Sequence, residues 1–288
     1  LRYGADRCSV TASMDITNRM TELRIFSSLP LNHWLCLIPS QWSEVLKCKD
    51  IPEGGNAMFE VWGGPAPVGK VAESLTGWLS LADVEVHGVW VEKGFASFHL
   101  SGPEFSLRKL DAVIGRGSQQ GAVRGSGTCR LDTHEFAASA TTECDPNAVI
   151  SLLTRNQARV IRSLDFKQDP PTTRLQVTGD FDNPKLFQMK GHLYGTNFSY
   201  NGASLAVFDS DAAVSNGVLT FHPMTAVREE GKVEGLVAID FDNERVEVDA
   251  VSTCDPYMVG RIIGPNTEKF LRTFRFEGPA RVKAKVLV

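Results

Sequence analysis

Two Cys-Asp-Pro triplets, at Cys144–Pro146 and Cys254–Pro256, are the residues of this sequence best suited to chemistry. A thiol next to a carboxylate could ligate a metal ion or act as a nucleophile. The same triplet could instead begin a helix, because an Asp side chain accepts hydrogen bonds from the free N–H groups of the first turn and proline fits the first helical position. The surrounding sequence decides between a reactive site and a helix start.

Apolar residues follow both triplets at matching positions and at the spacing of one helix face, which indicates amphipathic helices. The matched positions are Val149, Leu152, Leu153, Val160, Ile161 and Leu164 in the earlier copy, and Val259, Ile262, Ile263, Phe270, Leu271 and Phe274 in the later one. In the later copy Gly264-Pro265 interrupts the pattern and predicts two short helices or a kinked helix.

A partial third copy lies near the N-terminus, and the apolar helix positions that it shares with the last copy are Trp34, Leu37, Ile38, Val45 and Leu46. In that copy Leu29-Pro30-Leu31 stands where the triplet would be. A metal ligand or nucleophile is not replaceable by leucine, whereas a helix start is. We therefore predict helical insertions near residues 31–48, 146–165 and 256–274. We also predict structural roles for Cys144, Asp145, Cys254 and Asp255.

Between these segments apolar residues alternate with polar ones, which is the period of a half-buried β-strand. The clearest runs are Val233–Phe241, Val246–Ala250 and Val282–Val288, and turn signals such as Asn201-Gly202 separate the strands. The sequence therefore predicts a mainly β protein with helical insertions (β+α), built from repeated antiparallel sheet units. We expect a partial copy over residues 1–66, a second copy over 67–180 and a third over 181–288, in a piece of a longer protein.

Other groupings that could serve catalysis or metal binding match turns better. Gly115–Gly121 has the glycines of a phosphate loop, but the alternating residues after it indicate a hairpin rather than a helix. Asp180–Asn183 begins like a calcium loop but lacks the glycine and glutamate that such a loop needs further on. The six histidines lack the spacing of a zinc site. We expect neither catalysis, nor a cofactor, nor a metal.

The charge and hydropathy of the chain argue against two kinds of interaction. A formal net charge of −4 without a basic stripe disfavours nucleic acid as a partner. The longest apolar runs, such as Trp34–Ile38, are too short to cross a bilayer. The six cysteines contain no Cys-x-x-Cys pair, which favours buried thiols and leaves a disulfide open.

Several short motifs resemble the C-terminal repeat region of AsmA-like proteins, the superfamily of bacterial envelope proteins that includes AsmA, TamB and YhdP. The resemblance is best over residues 180–288. It rests on Gly195–Gly202, Asp242–Arg245, Asp255-Pro256, Ile263–Pro265, Phe274–Phe276 and Gly278-Pro279. The second copy departs from this pattern because it lacks the Gly-Pro break, and the first copy departs because it lacks Asp-Pro.

The resemblance implies an extended, curved, trough-like sheet in a periplasmic protein that is anchored in the inner membrane. Such a protein binds or conducts phospholipid toward the outer membrane, and other envelope proteins are its further partners. The lipid-contacting candidates are the alternating apolar residues of the last strands: Val237, Ile239, Phe241, Val246, Val248, Val282, Ala284 and Val286. The residues alone leave a second interpretation open, in which these faces close into a dry core and the protein is an envelope scaffold without lipid cargo.

Overall fold

The structure is a computed structural model that describes residues 2–3, 6–28, 56–67, 70, 73–166, 169–243, 245–257, 260, 265–276 and 280–287. The helical insertion expected near residues 31–48 lies outside these ranges. The chain divides into two compact units: unit 1 comprises Leu1–Ala140 with Asp180–Asp182, and unit 2 comprises Thr141–Gly179 with Asn183–Val288.

Unit 1 is built of antiparallel strands in which β2 to β9 pair mainly with their neighbours in the sequence. The strands are β1 (Arg2–Tyr3), β2 (Asp6–Asp15), β3 (Met20–Ser27), β4 (Asn56–Pro67), β5 (Ser74–Val86), β6 (Val89–Ser101), β7 (Glu104–Ile114), β8 (Gly121–Arg130) and β9 (Glu135–Glu143). Because antiparallel neighbours need no crossover connection, short polar turns suffice to close the hairpins.

Unit 2 has the same antiparallel arrangement. Its strands are β10 (Leu164–Phe166), β11 (Thr172–Asp180), β12 (Gln188–Tyr200), β13 (Ala203–Ser215), β14 (Val218–Arg228), β15 (Gly231–Asp240), β16 (Arg245–Ser252) and β17 (Ala280–Leu287). The strands β10 and β11 pair with different parts of β12. The prediction of a mainly antiparallel β protein is confirmed.

Helices occupy a small part of the described chain. The α-helices with described bounds are α1 (Arg155–Arg162) and α2 (Pro265–Leu271), and 3-10 helices lie at Gly117–Gln119, Pro146–Leu152 and Pro184–Leu186. The continuous helix that apolar spacing predicts over 146–165 is wrong, because Leu153 is extended (φ −95°, ψ 152°) and Leu164 belongs to β10. Thr154, a residue type that favours helix starts, precedes α1, so the chain begins a new helix there.

The strands of the copies recur at constant offsets along the sequence. When the first residues of β5 and β12 are aligned, Ser74 on Gln188, the bounds of β6 and β7 fall on those of β13 and β14. The alignment that places Cys144 on Cys254 likewise places the starts of β8 and β9 on those of β15 and β16. The two offsets differ because residues 115–120 join β7 to β8, whereas only Glu229-Glu230 joins β14 to β15.

The partial first copy follows the same plan. The alignment that places Trp34 on Val259 also places Asp6, where β2 begins, on Gly231, and Met20, where β3 begins, on Arg245. These are the first residues of β15 and β16. The offsets seen in the sequence are therefore present in the secondary structure.

Unusual backbone conformations recur at equivalent positions. His87 and Asn201 both have a φ of 49° and precede a glycine with positive φ in the β5–β6 and β12–β13 turns. Within the preceding strands, Asp83 (φ 55°) and Asn197 (φ 53°) interrupt β5 and β12 in the same way. His, Asn and Asp tolerate the left-handed region better than other side chains do. The turns predicted at His87-Gly88 and Asn201-Gly202 are confirmed.

Each unit buries apolar side chains near these turns. In unit 1 they include Val84, Val89, Val91, Ala112 and Ile114, and in unit 2 Phe198, Ala203, Leu205 and Ala226. The Phe198 ring stacks on Phe166 with centroids 5.1 Å apart and meets the edge of Phe208 at 6.3 Å. In unit 2 burial extends further along the strands, to Ala212 and Val248, which are 4% and 8% exposed.

Candidate functional site

The Cys-Asp-Pro triplets begin helical segments, as predicted. The Asp145 Oδ1 atom accepts a hydrogen bond from the Asn147 N–H at 2.8 Å, at the start of the 3-10 helix Pro146–Leu152. In the later copy the Asp255 Oδ1 atom accepts from the Tyr257 N–H at 2.9 Å. Each carboxylate thus satisfies a backbone donor that would otherwise lack a partner at a helix start.

The two cysteines of the triplets are buried free thiols. Burial raises the pKa of both Cys144 and Cys254 above the usual thiol value. A thiol with a raised pKa stays protonated at neutral pH, and the protonated form is a poor nucleophile and metal ligand. This environment fits the structural role predicted for these cysteines. Cys36 and Cys48 lie outside the described residues.

Aspartates at the ends of strands use their carboxylates to close turns. The Asp240 carboxylate accepts from the backbone N–H groups of Asp242 (3.1 Å) and Asn243 (3.0 Å), and from the Asn243 side chain (2.7 Å). These contacts, with Asn243 first, lower the pKa of Asp240. Asp15 makes the equivalent three bonds with Thr17 and Asn18. Both carboxylates therefore stabilise hairpin turns.

Cross-strand register gathers apolar side chains of unit 2 on one face of its sheet, because directly paired residues point to the same side. We call this side the apolar face of unit 2. Row 1 consists of Val214, Leu219, Ile239 and Val246; row 2 of Ala212, Phe221, Val237 and Val248; and row 3 of Ser210, Met224, Gly235 and Ala250. The rows run across β13, β14, β15 and β16.

The structure brings most of the lipid-contacting candidates to this face. Val237, Ile239, Val246 and Val248 occupy rows 1 and 2 as neighbouring cross-strand pairs. The backbones of Val286, Ala284 and Val282 pair with Val246, Val248 and Ala250, which extends the rows by one strand. Phe241 is the exception, since it lies in the turn after the end of β15 and its N–H donates to the Gly217 carbonyl at 3.2 Å.

The alternation pattern wrongly predicted that Phe241 lies within a strand. The pattern continues unbroken from Val233 to Phe241, but the strand ends at Asp240. Asp240 ends it there because its carboxylate holds the following turn together. A local side-chain hydrogen bond therefore overrides the period-two signal at this position.

Burial varies systematically between the rows. All four side chains of row 1 are half-buried. Row 3 is more enclosed, with Ser210 1%, Met224 9% and Ala250 4% exposed. The Ser210 hydroxyl is satisfied there, because it donates to the Pro223 carbonyl at 2.9 Å. Row 2 is mixed, since Val248 is buried and Val237 half-buried. Accessible apolar surface therefore concentrates in row 1 and part of row 2.

The described helical segments leave part of their own apolar surface exposed. Helix α1 packs against the 3-10 helix Pro146–Leu152 and β10. Phe270 in α2 and Phe274 just after it meet edge to face at 5.1 Å and are 61% and 49% exposed. Phe270, one of the residues on the predicted apolar helix face, is therefore mainly exposed. Val259 and Ile263, which share that predicted face, lie outside the described residues.

The opposite side of unit 2, its polar face, carries paired polar and charged side chains. The His192 ring lies between two carboxylates, with its Nε2 atom 3.4 Å from Asp209 and its Nδ1 atom 3.0 Å from Asp211. On β15 the Lys232 ammonium lies 3.0 Å from Glu234. All these side chains are about half-exposed, so the pairs are solvated. The two faces of the same strands therefore differ sharply in polarity.

The corresponding polar face of unit 1 carries aromatic side chains instead. Trp62, Trp78 and Phe95 lie on this face because directly paired residues point to the same side. Their cross-strand partners are Arg24, Glu60 and Asp111, respectively. Trp62 is 41% and Phe95 39% exposed. Sequence reasoning missed this cluster, because period two alone does not tell which face of a strand is buried. An alignment of β5 and β6 with β12 and β13 would have revealed it.

Comparison with known proteins gives no matching family model, no matching curated protein and no matching solved structure. Within the ranges that the structure describes, no helix is long and apolar enough to cross a membrane. Inferences about function therefore rest on the residues, on the register of the two units and on the motifs described above.

Proposed function

We propose that this chain is part of a non-enzymatic, AsmA-like envelope protein that binds or conducts phospholipid along the apolar face of its sheet. In this proposal the repeated antiparallel units belong to an extended, trough-like sheet. The protein lies in the periplasm, is anchored in the inner membrane by parts outside this fragment, and moves lipid toward the outer membrane together with other envelope proteins.

The observation that carries the proposal is the half-buried, uncharged row 1 next to row 2. Val214, Leu219, Ile239 and Val246 form a continuous apolar strip across four strands. Contiguous exposed apolar surface is rare in proteins that have no partner for it. Acyl chains suit such a strip because they are linear and lack hydrogen-bonding groups, so the strip needs no polar side chains to receive them.

Phospholipid also matches the arrangement of the two faces. Apolar residues line one side, while the other side carries solvated pairs such as His192 with Asp209. A sheet of this kind keeps water on its polar face and can shield hydrocarbon on its apolar face. The resemblance to AsmA-like proteins points to the same cargo.

A closed core is the second candidate, and the burial of row 3 favours it locally. Ala250 is 4% exposed and Met224 9% exposed in that row, and a further buried cluster around Phe198 lies in the same unit. In that case the protein is an envelope scaffold whose apolar faces contact only protein. The two candidates differ at row 1, where the lipid proposal requires hydrocarbon contact.

Site-specific photo-crosslinking in cells separates the two candidates. A benzophenone amino acid at Ile239 should capture phospholipid, whereas the same amino acid at Ala238 should not. These neighbouring positions on β15 are both half-buried and point to opposite faces of the sheet, which makes them a matched pair. Lipid adducts are identified by mass spectrometry of the purified protein.

Equal lipid labelling at Ile239 and Ala238, or no lipid at Ile239 in a folded protein, would contradict lipid conduction by this face. Crosslinks from Ile239 to this protein's own helical segments would support the scaffold instead. Native mass spectrometry of the purified chain provides an independent check, because bound phospholipid adds a defined mass.

A further inference from the structure

The polar face of β2, β3 and β4 in unit 1 contains an open cavity of about 530 Å³. This volume falls within the roughly 300–1,000 Å³ that is usual for small-molecule sites. The side chains that line it and carry the argument are Thr11, Ser13, Glu22, Arg24, Glu60 and Trp62. The cavity is formed by residues of unit 1, whereas the proposed lipid face is formed by residues of unit 2.

Trp62 gives the cavity a flat aromatic wall. It pairs across the sheet with Arg24 on β3 and with Thr76 on β5, which fixes its position on the polar face. Its side chain is 41% exposed although it is the largest residue type. Part of the apolar ring therefore stays in contact with water instead of being buried. Its exposed ring is available for stacking.

The polar groups beside Trp62 are held in place. The Arg24 guanidinium donates through Nε to the Glu60 carboxylate, and the Trp78 indole N–H donates to the other Glu60 oxygen at 3.2 Å. Arg24, with the indole of Trp78, lowers the pKa of Glu60, so this group stays an ionised acceptor. Glu60 is only 15% exposed, whereas Arg24 is 69% exposed. Fixed donors and acceptors therefore border the aromatic ring.

The composition of the cavity selects a class of ligand. One guanidinium and two carboxylates give its lining a net negative charge, which disfavours phosphates, nucleotides and other polyanions. Its aromatic wall suits a flat apolar surface, and its carboxylates, hydroxyls and guanidinium suit hydroxyl groups. A pyranose ring presents both, with C–H groups on its faces and hydroxyls at its rim.

We propose that this cavity binds a neutral glycan, with one sugar ring stacked on Trp62 and its hydroxyls hydrogen-bonded to Arg24, Glu60 and Glu22. The site is independent of lipid binding on the apolar face. It would let unit 1 hold a polysaccharide of the envelope while the apolar face of unit 2 serves another role.

The aromatic surface continues beyond the cavity, which favours an oligosaccharide over a single sugar. Trp78 and Phe95 follow Trp62 on successive strands and stack with centroids 6.4 Å apart. From the spacing of strands and residues, successive aromatic positions are about 8 Å apart along a diagonal. A chain of sugar rings could run along this diagonal from one aromatic side chain to the next.

The repeat shows that the fold itself does not require this site. When β2 and β3 are aligned with β15 and β16, Thr11, Ser13 and Arg24 are replaced by Leu236, Ala238 and Asp249. The aromatic diagonal is lost too. The alignment of β5 and β6 with β12 and β13 puts His192 at the position of Trp78 and Asp209 at that of Phe95.

Calorimetric titration of the whole chain with cellopentaose, maltopentaose and chitopentaose tests the proposal. We expect at least one of them to bind and Trp62→Ala to weaken that binding by about tenfold or more, since one stacking contact is of that order. Trp62→Phe should retain part of the affinity because it keeps an aromatic face. Tyr194→Ala should leave binding unchanged, because Tyr194 is equally exposed (43%) but lies on the polar face of unit 2.

Thermal melts of the variants show whether each is folded. Absence of binding to all three oligosaccharides at millimolar concentration would overturn the proposal, and so would equal binding by the wild type and a folded Trp62→Ala. Tight binding of tetramethylammonium without any oligosaccharide binding would also overturn it, because it would identify the cavity as a cation site. The crosslinking result at Ile239 does not affect any of these outcomes.

Discussion

The polar faces of β5–β6 and of β12–β13 share one backbone plan and differ in chemistry. Trp78 and Phe95 form an aromatic stack with centroids 6.4 Å apart on the first pair of strands. At the equivalent positions of the second pair, the His192 ring and the Asp209 carboxylate lie 3.4 Å apart. Strands of equal length thus carry an aromatic surface in one copy and a solvated polar pair in the other.

The difference is instructive because so much else is shared. Both copies have a left-handed residue before the turn glycine and another within the preceding strand. Both bury small or apolar side chains at equivalent places, as at Ala112 and Ala226. Positions that the repeat keeps are those that the antiparallel fold requires, and positions that it varies on the exposed face are those available for binding. The aromatic cluster of unit 1 belongs to the second group.

The largest expected effect is on the shared core. Val84 and Phe198 occupy equivalent positions and are 1% and 5% exposed. Phe198→Ala should lower the free energy of unfolding by about 3–5 kcal/mol, because it removes a ring packed between Phe166 and Phe208. Val84→Ala should cost about 2 kcal/mol, because it removes only two methyl groups. Urea titrations measure both values.

Exposed apolar residues provide the control for this comparison. Val10→Ala, at a position 64% exposed, should change stability by less than about 0.5 kcal/mol. Similar losses in Val84→Ala and Val10→Ala would show that the buried end of unit 1 is not a core like that of unit 2.

Helix starts should show a smaller difference between the copies. Asp145→Ala should cost about 1–2 kcal/mol, because its Oδ1 atom accepts from both the backbone and the side chain of Asn147 and the residue is buried. Asp255→Ala should cost about 1 kcal/mol, since this residue is exposed and its carboxylate accepts from the Tyr257 N–H. Asn at either position preserves capping and should restore most of the loss. Equal stability of the Ala and Asn variants would contradict the capping role.

Much of the fold is predictable from the sequence because its determinants are local. Asn201-Gly202 and Asp240–Asn243 close their turns through their own backbone preferences and side-chain hydrogen bonds. Period-two alternation located the strands between them. Because these turns and strands recur at constant offsets, the sequence predicted a repeated antiparallel arrangement. That prediction needed no information about long-range contacts.

The remaining features depend on information that periodicity does not contain. The apolar spacing predicted one helix over 146–165, because spacing alone does not reveal that the backbone at Leu153 is extended. Alternation cannot tell which of two faces is covered, so the exposure of Trp62 and Phe95 was missed. Phe270 looked like a buried helix residue for the same reason and is 61% exposed. The sequence fits several burial patterns, and only tertiary packing selects one.

A substitution in the β5–β6 turn should modestly stabilise the protein. His87 and Asn201 share a φ of 49° before glycine, but Asn is the better residue for this left-handed position. His87→Asn should therefore raise the free energy of unfolding by about 0.5 kcal/mol, as is usual for turn optimisation. The reverse change, Asn201→His, should lower it by a similar amount. If both substitutions destabilise the protein, the two turns are not equivalent.

The smallest expected effect concerns the β8–β9 turn of unit 1, where His134 distinguishes this hairpin from its counterparts. The equivalent position is Arg19 in the first copy and Glu244 in the third. The His134 Nδ1 atom lies 2.5 Å from the Asp182 carboxylate, and the Phe181 N–H donates to the His134 carbonyl at 3.1 Å. Asp182 is the main cause of the raised His134 pKa, and Asp180 and Asp132 contribute as well.

This pair should give unit 1 a pH dependence with a defined sign. Because folding raises the pKa of His134, its stabilising contribution is complete below the unfolded value of 6.5 and is lost as pH rises through the higher folded value. Asp182→Asn should therefore reduce stability most below pH 6.5 and least in alkaline solution, although both side chains are exposed and screened by salt. Urea titrations of the two proteins across this pH range measure the difference. A gap between them that widens with rising pH would contradict the pairing, and His134→Gln should abolish the pH dependence of the gap.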